Sequence, residues 1–453
     1  MRTTRRELTG WGRTAPSVAD LVDARPDELD ASTIADLATD RGIIARGLGR
    51  AYGDPAQNGG GSVLRLTPGP ILLDPASGTV TAGGGVGFDE LLRHVVPRGW
   101  FVPVTPGTRF VTVGGAIASD IHGKNHHTDG TFGSHVEAMT LLLADGSRRC
   151  LTEAADPSLW WATIGGMGLT GVILDATFRL LPIETSRCLV ETQRMPHLDA
   201  LLEVMEASDH LHRYSVAWID LVAGGAHLGR SVLTRGDHAT LEDLGPDCTD
   251  PLAFRPPALA SVPRGTPNLL NRLSVRAFNE LWYRKSPRAH RGLESITGFF
   301  HPLDMVGEWN RLYGAPGFLQ YQFVVPFDAV DMLRAIVRTV VSSGHASFLA
   351  VLKRLGAENA GMLSFPTPGW TLTMDLPAGV DGLGSLLERL DRMVLEVGGR
   401  HYLAKDATAT PSMVRAEYPR LGEWLEVRRR VDPTGVWISD QARRLDLDRL
   451  DTE

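Results

Sequence analysis

Short apolar runs separated by glycine fill the first 185 residues, and this pattern constrains the fold more than any other feature of the chain. A helical pattern interrupts them over 88–96, where apolar side chains recur on one face. Strands and helices mixed in this order predict an α+β fold with several small sheets. The strand-like runs lie at 43–45, 63–66, 79–82 and 141–143.

The pattern changes near residue 186, which indicates a second domain. Glycine becomes sparser there, and longer elements are predicted, such as a strand over 319–325 and a helix over 382–397. The last fifty residues return to short motifs. With 453 residues, the chain has the length of two or three domains.

Composition and charge exclude several classes of protein. A net charge of −7 is opposite in sign to that of a protein that coats nucleic acid. Three widely spaced cysteines build neither a disulfide framework nor a thiolate metal site. No run reaches the roughly 18 apolar residues that a membrane helix needs. Polar residues follow Arg5 and Arg6, so we also expect no signal peptide.

Lysine is rare in this chain, because only four of the 46 basic residues are lysine. Codon bias toward arginine explains the background. A compact ammonium group on a flexible stem nevertheless does chemistry that a guanidinium cannot, so each remaining lysine is a candidate functional residue. The four are Lys124, Lys285, Lys353 and Lys405.

The segment 251–291 concentrates positive charge. It holds eight basic residues against the single acid Glu280, with leucines, Phe278 and Trp282 interleaved. Two interpretations stay open, a basic loop facing solvent and a surface for anionic amphiphiles. The second predicts a mobile, membrane-facing lid in which four prolines prevent a long helix. These are Pro256, Pro257, Pro263 and Pro267.

Two glycine-rich loops in the first half are candidate anion sites. The first, residues 45–54, follows a predicted strand, and its glycines allow backbone N–H groups to converge on a pyrophosphate. The second spans 106–124 and ends with His122 and the rare Lys124. Small residues in both loops permit close approach of the backbone to a ligand.

A third glycine motif, residues 166–171, matches the G-x-G-x-x-G fingerprint of dinucleotide-binding proteins. That fingerprint works only between a strand and a helix that opens on it. Residues 172–178, however, alternate in the manner of a strand. We therefore do not interpret the motif as a nicotinamide site.

Four histidines cluster at and after the second loop. A zinc site needs three or four ligands at defined spacing, oriented by further hydrogen bonds, and the cluster lacks that spacing. We therefore expect no metal, one histidine facing a cofactor, and structural roles for the others. The four are His122, His126, His127 and His135.

Together these motifs resemble the PCMH-type FAD-binding domain of the vanillyl-alcohol-oxidase superfamily. The resemblance implies a two-domain α+β fold with an FAD-binding domain at 1–185. A substrate (cap) domain with an antiparallel sheet follows at 186–395, and its loop near 251–291 is expected to be mobile. A C-terminal segment, 396–453, returns to the FAD-binding domain. The resemblance rests on the two loops, the strand at 79–87, the turn at 144–146 and the segment 165–173.

Five longer motifs run through the chain, at residues 8–17, 122–127, 282–286, 318–323 and 404–406. They carry a narrower resemblance, to the decaprenylphosphoryl-β-D-ribose 2′-oxidases, which covers nearly the whole chain. It implies oxidation of the ribose 2′-hydroxyl of a polyprenyl-phosphate sugar to the 2′-keto form, the first half of an epimerisation for cell-wall arabinan. A separate NADH-dependent keto-reductase would complete it, and a quinone or an added dye would accept the electrons. The family also indicates peripheral membrane contact in the cell envelope, periplasmic, with the cytoplasmic face as the alternative.

The resemblance implies that FAD binds along the two loops. Many relatives hold the flavin covalently through a histidine in the first loop, whereas Arg50 occupies that place here. The flavin is therefore expected to be non-covalent. The implied cofactor-binding residues are Ala45, Arg46, Gly47, Leu48, Gly49, Arg50, Ala51, Tyr52, Gly53, Asp54, Pro55, Gly107, Thr112, Val113, Gly114, Gly115, Ser119, Asp120, Ile121, His122, Ile173 and Tyr402.

The resemblance also implies a pocket that binds substrate. Lys405 is the candidate to hold or deprotonate the 2′-hydroxyl, since the pKa of a lysine among other cations is lowered. His122 is the alternative base, and an ion pair with Asp406 or a cofactor phosphate is the alternative role of Lys405. Where this chain has Phe300, relatives often have tyrosine, and where it has Thr373, they often have cysteine. The other implied pocket residues are Tyr52, Lys124, Gln320, Gln322, Lys353 and Thr373.

Two other functions stay open. The first is an alditol or aldonolactone oxidase acting on a small soluble sugar, which gives no reason for the basic apolar segment 251–291. The second is a flavin-binding envelope scaffold without catalysis, which would not need the polar pocket. Bleaching of the flavin by added substrate separates these classes.

Overall fold

The computed structural model describes residues 1–257 and 260–448, and within them the strands form four sheets. Sheets of four and five strands and a two-stranded ribbon come from the first half, and an eight-stranded sheet follows. In chain order the strands are β1 (Arg2–Leu8), β2 (Ser17–Ala24), β3 (Ile43–Ala45), β4 (Ser62–Leu66), β5 (Ile71–Asp74), β6 (Thr79–Gly83), β7 (Trp100–Phe101), β8 (Val136–Leu142), β9 (Arg148–Leu151), β10 (Val172–Arg179), β11 (Leu181–Pro182), β12 (Arg187–Met195), β13 (Tyr214–Ile219), β14 (Ser231–His238), β15 (Ala289–Ser295), β16 (Phe318–Val325), β17 (Ala350–Leu355), β18 (Gly369–Pro377) and β19 (Arg400–His401).

Helices cover the sheets and connect them. In the described ranges, none of them is long and apolar enough to cross a membrane. In chain order they are α1 (Ala31–Leu37), α2 (Phe88–Val95), α3 (Val113–Ala118), α4 (His126–Asp129), α5 (Pro157–Thr163), α6 (Leu198–Ser208), α7 (Leu241–Leu244), α8 (Arg272–Lys285), α9 (Ile296–Phe300), α10 (Val330–Ser343), α11 (Leu383–Glu396), α12 (Pro411–Glu417), α13 (Leu421–Val431) and α14 (Asp440–Arg444).

The first-half sheets carry the two glycine-rich loops. In the four-stranded sheet, ordered β1-β2-β4-β3, the parallel strands β3 and β4 need a crossover connection, which contains the first loop. The second loop contains α3, which buries Val113, Ala116 and Ile117 beside β10 of the five-stranded sheet β5-β6-β10-β8-β9. Both loops are therefore attached to elements with buried side chains.

The eight-stranded sheet, ordered β15-β12-β14-β13-β17-β18-β16-β19, has two unlike faces along β16 and β18. Successive side chains of a strand point to opposite faces. Tyr321, Phe323, Leu372 and Met374 belong to a core shared with α6, α10 and α11, and each such burial contributes about 1.5–3 kcal/mol. The other face is polar, with Gln320 opposite Asp375, Gln322 opposite Thr373 and Lys353 opposite Thr371.

The predicted elements are largely confirmed. The α+β class is confirmed, as are the predicted helices, which appear as α2 and α11 with ends shifted by one or two residues. The strand after the third glycine motif is also confirmed, since β10 follows it directly. The division at residues 185 and 395 stays a prediction. The predicted strands correspond to β3, β4, β6, β8 and β16.

The segment after β19 packs against the first half of the chain. Ile43 of β3 bridges to Trp437 in parallel, and the Ile438 N–H donates to the Ile43 carbonyl at 2.8 Å. The indole of Trp424 donates to the carbonyl of Ala162 at 2.9 Å. Both tryptophans are fully buried, so this segment is part of the first-half core.

The expectation that prolines prevent a long helix in 251–291 is wrong for the second part of this segment. Helix α8 runs for 14 residues there. All four prolines precede its N-cap, Asn271, whose side chain accepts from the N–H groups of Leu273 and Ser274. The part of the lid prediction at residues 258–259 lies outside the described residues.

Candidate active site

Buried polar contacts hold the first loop in place. The guanidinium of Arg46 donates to the carbonyl oxygens of Ala56 at 2.9 Å and Thr9 at 2.7 Å. Gly49 has a φ of +66°, and a Cβ there would lie 2.3 Å from that guanidinium, so glycine is required. Arg46 therefore stabilises the conformation of the first loop.

The first loop touches the second. A Cβ on Gly47 would lie 2.4 Å from Oγ1 of Thr112. That oxygen caps α3 by accepting from the Gly115 N–H at 3.1 Å, and the Gly114 N–H donates to the Gly84 carbonyl at 2.9 Å. The two loops predicted to bind one ligand thus form one continuous cradle.

Other residues predicted to bind FAD are fixed by contacts in and around the second loop. The hydroxyl of Tyr402 donates to the Ser119 carbonyl at 2.8 Å, and the Ile173 carbonyl packs against Gly84. Asp120 is fully buried, and its carboxylate accepts from the Gly133 N–H at 3.0 Å and from an asparagine amide. The Asp120 carboxylate is therefore committed to structural hydrogen bonds.

His122 stands at the centre of the polar groups. Lys353 Nζ lies 3.1 Å from its Nδ1, and the side-chain amide nitrogen of Gln322 lies 2.9 Å from its Nε2. The ring lies 5.5 Å from the ring of Tyr402. Burial places the pKa of His122 well below its usual range, so the ring is neutral. It is accordingly a weaker candidate base than Lys405.

Three of the four lysines converge on this site. Lys405 Nζ lies 4.0 Å from the centre of the Tyr52 ring, which belongs to the first loop. Lys124 Nζ donates to the Phe299 carbonyl and lies 4.1 Å from the centre of the Phe299 ring. Lys353 contacts His122, as above. The fourth, Lys285, is exposed on α8.

The surrounding protein perturbs all three lysines. Each side chain keeps some accessible surface, but burial of the ammonium groups lowers the pKa of Lys353 and Lys405 to about 7 and that of Lys124 to about 8. The charge of Lys405 further lowers the pKa of Lys353. Several perturbed groups in one cluster, rather than one alone, indicate a functional site.

Sequence reasoning missed Asp375, which belongs to the same site. Its carboxylate accepts from Gln320 Nε2 at 2.6 Å and from the Tyr313 hydroxyl at 3.3 Å. Burial raises its pKa to about 7. A signal was present, because Asp375 is the lone charged residue in the strand 369–377.

Lys405 does not pair with its neighbour Asp406. The Asp406 carboxylate accepts from Arg444 at 2.8 Å, from Gln441 at 3.3 Å and from the Thr408 N–H at 2.8 Å. The ion pair of Lys405 with Asp406 is therefore wrong, while a contact with a cofactor phosphate stays a prediction. A cavity beside these residues is lined by Gln320, Gln322, Tyr402 and Lys405 among others.

The other histidines of the cluster are separated by their contacts. His126 Nδ1 accepts from the Gly356 N–H at 3.0 Å, His127 Nε2 lies 3.0 Å from the His212 carbonyl, and His135 Nε2 lies 2.9 Å from that of Asp129. Across residues 1–257 and 260–448, no group of three or more potential ligands is placed to hold a metal ion.

Comparisons with known proteins identify relatives over the length of the chain. A family model described as FAD binding domain matches residues 22–151, and one described as D-arabinono-1,4-lactone oxidase matches residues 374–445. The decaprenylphosphoryl-β-D-ribose oxidase of Mycolicibacterium smegmatis is 47% identical over 456 residues, which cover 98% of each chain. The chain belongs to the decaprenylphosphoryl-β-D-ribose oxidase family.

Membership of the decaprenylphosphoryl-β-D-ribose oxidase family confirms the resemblance found in the sequence. The protein is an FAD-dependent oxidoreductase with the two-domain fold expected of the vanillyl-alcohol-oxidase superfamily. A more distant relative, the alditol oxidase of a Streptomyces species, is 24% identical over 89% of this chain and 90% of its own.

The first loop fits FAD. Within the described residues, the backbone N–H groups of residues 47–51 donate no hydrogen bond, and Arg50 Nε is buried without an acceptor. Orphaned donors that converge at a loop favour an anion such as a pyrophosphate. We therefore expect the N–H groups of residues 47–51 to hold the cofactor's phosphates. The N–H groups of Val113, Gly114 and Gly115 already donate within the protein, so the contribution of the second loop stays a prediction.

Acid denaturation is expected to release the flavin into solution. The Arg50 guanidinium lies 3.7 Å from the centre of the Trp11 ring, and it offers no nucleophile for a covalent bond to the flavin. After precipitation with acid, the supernatant should contain the yellow colour and the pellet should be colourless. A yellow pellet after washing in denaturant would contradict the non-covalent assignment.

The two positions singled out by the resemblance, Thr373 and Phe300, lie near the site. Thr373 is directly opposite Gln322 on the polar face of the sheet. Phe300 packs against Phe101 at 5.0 Å and Tyr214 at 4.8 Å between ring centres. Thr373 can therefore influence the pocket directly, whereas Phe300 shapes the aromatic wall near Lys124.

Proposed function

We propose that this protein oxidises the 2′-hydroxyl of a polyprenylphosphoryl-β-D-ribose to the 2′-keto sugar, which is the first half of an epimerisation to the arabinose form. The observation that carries the proposal is the meeting of Lys124, Lys353 and Lys405 around His122, beside the FAD loops. The name of the 47% identical relative supports the same substrate. That name indicates a decaprenyl chain as the lipid part of the substrate.

The proposed reaction removes a hydride from carbon and a proton from oxygen. Bound FAD supplies the hydride acceptor. We assign the proton to Lys405 Nζ, since a pKa of about 7 leaves a large neutral fraction of this amine at neutral pH. The O–H bond would break toward Lys405 Nζ as the alcohol carbon gives up its hydride, and a carbonyl would form.

The other cations suit an anionic substrate. Lys124 and, when it is protonated, Lys353 add positive charge near Lys405, and a phosphodiester is the natural partner for such charges. Gln320, Gln322 and Thr373 on the polar sheet face offer donors and acceptors to sugar hydroxyls. We infer that these groups bind the ribose ring and that the Tyr52 side chain packs against the ring beside Lys405.

The pH dependence of kcat/KM is expected to be bell-shaped. Lys405 must be neutral to accept a proton, so activity rises with pH through about 7. Lys124 must be charged to hold the phosphate, so activity falls again as pH rises through about 8. Steady-state assays with a dye acceptor measure both limbs. A rate that is unchanged well below pH 7 would remove Lys405 as the base.

An alditol or lactone oxidase is the second candidate. It is favoured by the lactone-oxidase match at 374–445 and by the 24% identical alditol oxidase. The ribose oxidase relative is much closer and spans 98% of the chain. A non-catalytic scaffold would not need three lysines with perturbed pKa values at the flavin loops.

Anaerobic reduction of the bound flavin distinguishes these functions. Polyprenylphosphoryl ribose should bleach the flavin absorbance, while xylitol, sorbitol and aldonolactones at matched concentrations should leave it oxidised. Bleaching by the free sugars alone would favour the second candidate. An unbleached flavin with every compound would favour the scaffold.

The proposed product defines the further partners. A 2′-keto sugar becomes the arabinose epimer only when a separate reductase delivers a hydride to the opposite face, and we propose an NADH-dependent enzyme for that step. The reduced flavin also requires an oxidant, for which we propose a membrane quinone. Reoxidation by quinone analogues and by oxygen can be compared directly in a stopped-flow instrument.

We also propose that α8 rests on a membrane surface. Its inner side is fixed by buried Val275 and by Asn279, whose amide donates to Asp220 at 2.8 Å. Its outer side exposes 79% of Leu273 and 67% of Leu281. A surface helix ordinarily turns its apolar stripe toward the core, so an outward stripe indicates a further contact.

Basic residues beside the outward stripe support an anionic lipid surface as the partner. Arg276, Arg284, Lys285 and Arg288 are all exposed on or just after α8. A helix with exposed apolar side chains flanked by cations is typical of peripheral membrane contact. We propose the periplasmic side of the cell envelope, with the cytoplasmic face as the alternative that protease protection of intact cells and inverted vesicles would distinguish.

A further inference from the structure

Asp375 is a buried acid to which the predicted site assigned no role. Its exposed fraction is 0%, and its backbone N–H donates to the Leu349 carbonyl at 3.0 Å. On the polar face of the sheet it lies directly opposite Gln320. A carboxyl group this deep is costly unless its partners compensate for the lost water.

Groups from four elements face this carboxyl. Gln320 comes from β16, and Tyr313 comes from the turn that precedes β16. Tyr52 comes from the first loop, and Lys405 from the turn after β19; both interact with Asp375 electrostatically. Among these groups, Lys405 is the cation, and its ammonium lies over the Tyr52 ring.

Charge in the site makes a counter-ion necessary. Lys353 senses the charges of both Lys405 and Lys124, so a proton added to Lys405 increases repulsion among three ammonium groups. Asp375 is the group whose charge favours the protonated form of Lys405 against burial. The cluster therefore needs a carboxylate at this position to accept the proton of an alcohol.

We propose that Asp375, which fixes Gln320 in the cavity that Lys405 also lines, is a positioning residue for the oxidation proposed above and balances the charge that Lys405 gains with the hydroxyl proton. The role rests on the proposed function for the identity of the proton donor. Asp375 itself neither gives nor takes the proton. Lys405 returns that proton to solvent before the next turnover, and the charge of the Lys405 ammonium in turn favours the ionised form of Asp375.

The decisive variant is Asp375→Asn, which keeps the shape of the side chain and removes its charge. We expect FAD to stay bound with an unchanged spectrum, and anaerobic flavin reduction to slow at least tenfold. The rising limb of the pH profile should move to lower pH, because the pKa of Lys405 falls when its carboxylate partner is lost. Asp375→Glu restores the charge and should return the limb toward its original position.

A purely structural role predicts a different result. Loss of packing alone would lower the thermal unfolding temperature and the FAD content without moving the limb. An unmoved limb in a folded Asp375→Asn protein would overturn the proposal. If that variant does not fold, Asp375→Thr, which copies Thr371 and Thr373 of the same strand, gives the same comparison.

A second measurement needs no sugar substrate and so separates this proposal from the proposed function. Acetic anhydride acylates neutral amines, and peptide mass spectrometry of the holoenzyme gives the acylation of Lys405 as a function of pH. The pH at which half of Lys405 is acylated should be lower in Asp375→Asn than in the protein that keeps Asp375. Equal midpoints would overturn the role proposed for Asp375, whatever the substrate proves to be. A shifted midpoint in a protein that does not oxidise the sugar would support the role of Asp375 and overturn the proposed function.

Discussion

Replacing Lys405 with alanine is expected to leave FAD bound and to abolish reduction of the flavin by polyprenylphosphoryl ribose. The ammonium lies against the Tyr52 ring, and the neighbouring carboxylate of Asp406 is held by Arg444 instead. Loss of a general base lowers a rate by about 10²–10⁴-fold. Anaerobic stopped-flow absorbance measures the loss, and the flavin spectrum reports FAD content in the same sample.

Two further variants make the result specific. Lys405→Arg keeps a cation but not a titrating amine, because the guanidinium stays protonated, so it should rescue little. Lys285→Ala removes the exposed lysine of α8 and should reduce the flavin at the normal rate in detergent. Near-normal reduction by Lys405→Ala or Lys405→Arg would exclude Lys405 as the base.

Reversing four arginines of the 251–291 segment to glutamate is expected to release the protein from anionic vesicles. Each basic residue near such a surface contributes about 1 kcal/mol, so removing four attractions alone costs about 4 kcal/mol, or about 10³-fold in partitioning. Co-sedimentation with phosphatidylglycerol vesicles measures the partition coefficient, and the flavin spectrum should not change. The four exposed positions are Arg264, Arg276, Arg284 and Arg288.

A charge-matched control separates location from net charge. The same reversal at four exposed arginines away from α8 changes the total charge equally and should reduce partitioning far less. If both sets reduce it alike, only net charge matters; if neither does, the segment is a basic loop facing solvent. The control positions are Arg93, Arg149, Arg338 and Arg389.

Local patterns explain why much of this protein could be predicted from its sequence. Glycine loops, alternating strands and the scarcity of lysine are each visible within a short window, and they identified both loops and Lys405. The N-cap of α8 was equally local, since Asn271 and Ser274 form a capping box that the prolines before it obscured. That helix could have been predicted.

Other features depend on pairing between distant segments. Asp375 meets Gln320 only because β16 and β18 pair in one register, and a shift by one residue would turn both side chains to the opposite face. The partner of Asp406 is likewise Arg444, 38 residues further along the chain. No short window of the sequence contains such contacts, so the counter-ion of Lys405 needed the structure.

The return of the C-terminal segment to the first half has a consequence for biosynthesis. The Tyr52 N–H donates to the Ala404 carbonyl at 3.1 Å, and a Cβ on Gly53 would lie 1.9 Å from the carbonyl oxygen of Asp406. The ribosome makes the first loop long before it makes these partners. Such non-local contacts form late and slowly. The nascent chain therefore exposes an unfinished flavin cradle through most of its synthesis, and cofactor capture must wait until the ribosome has nearly completed the polypeptide.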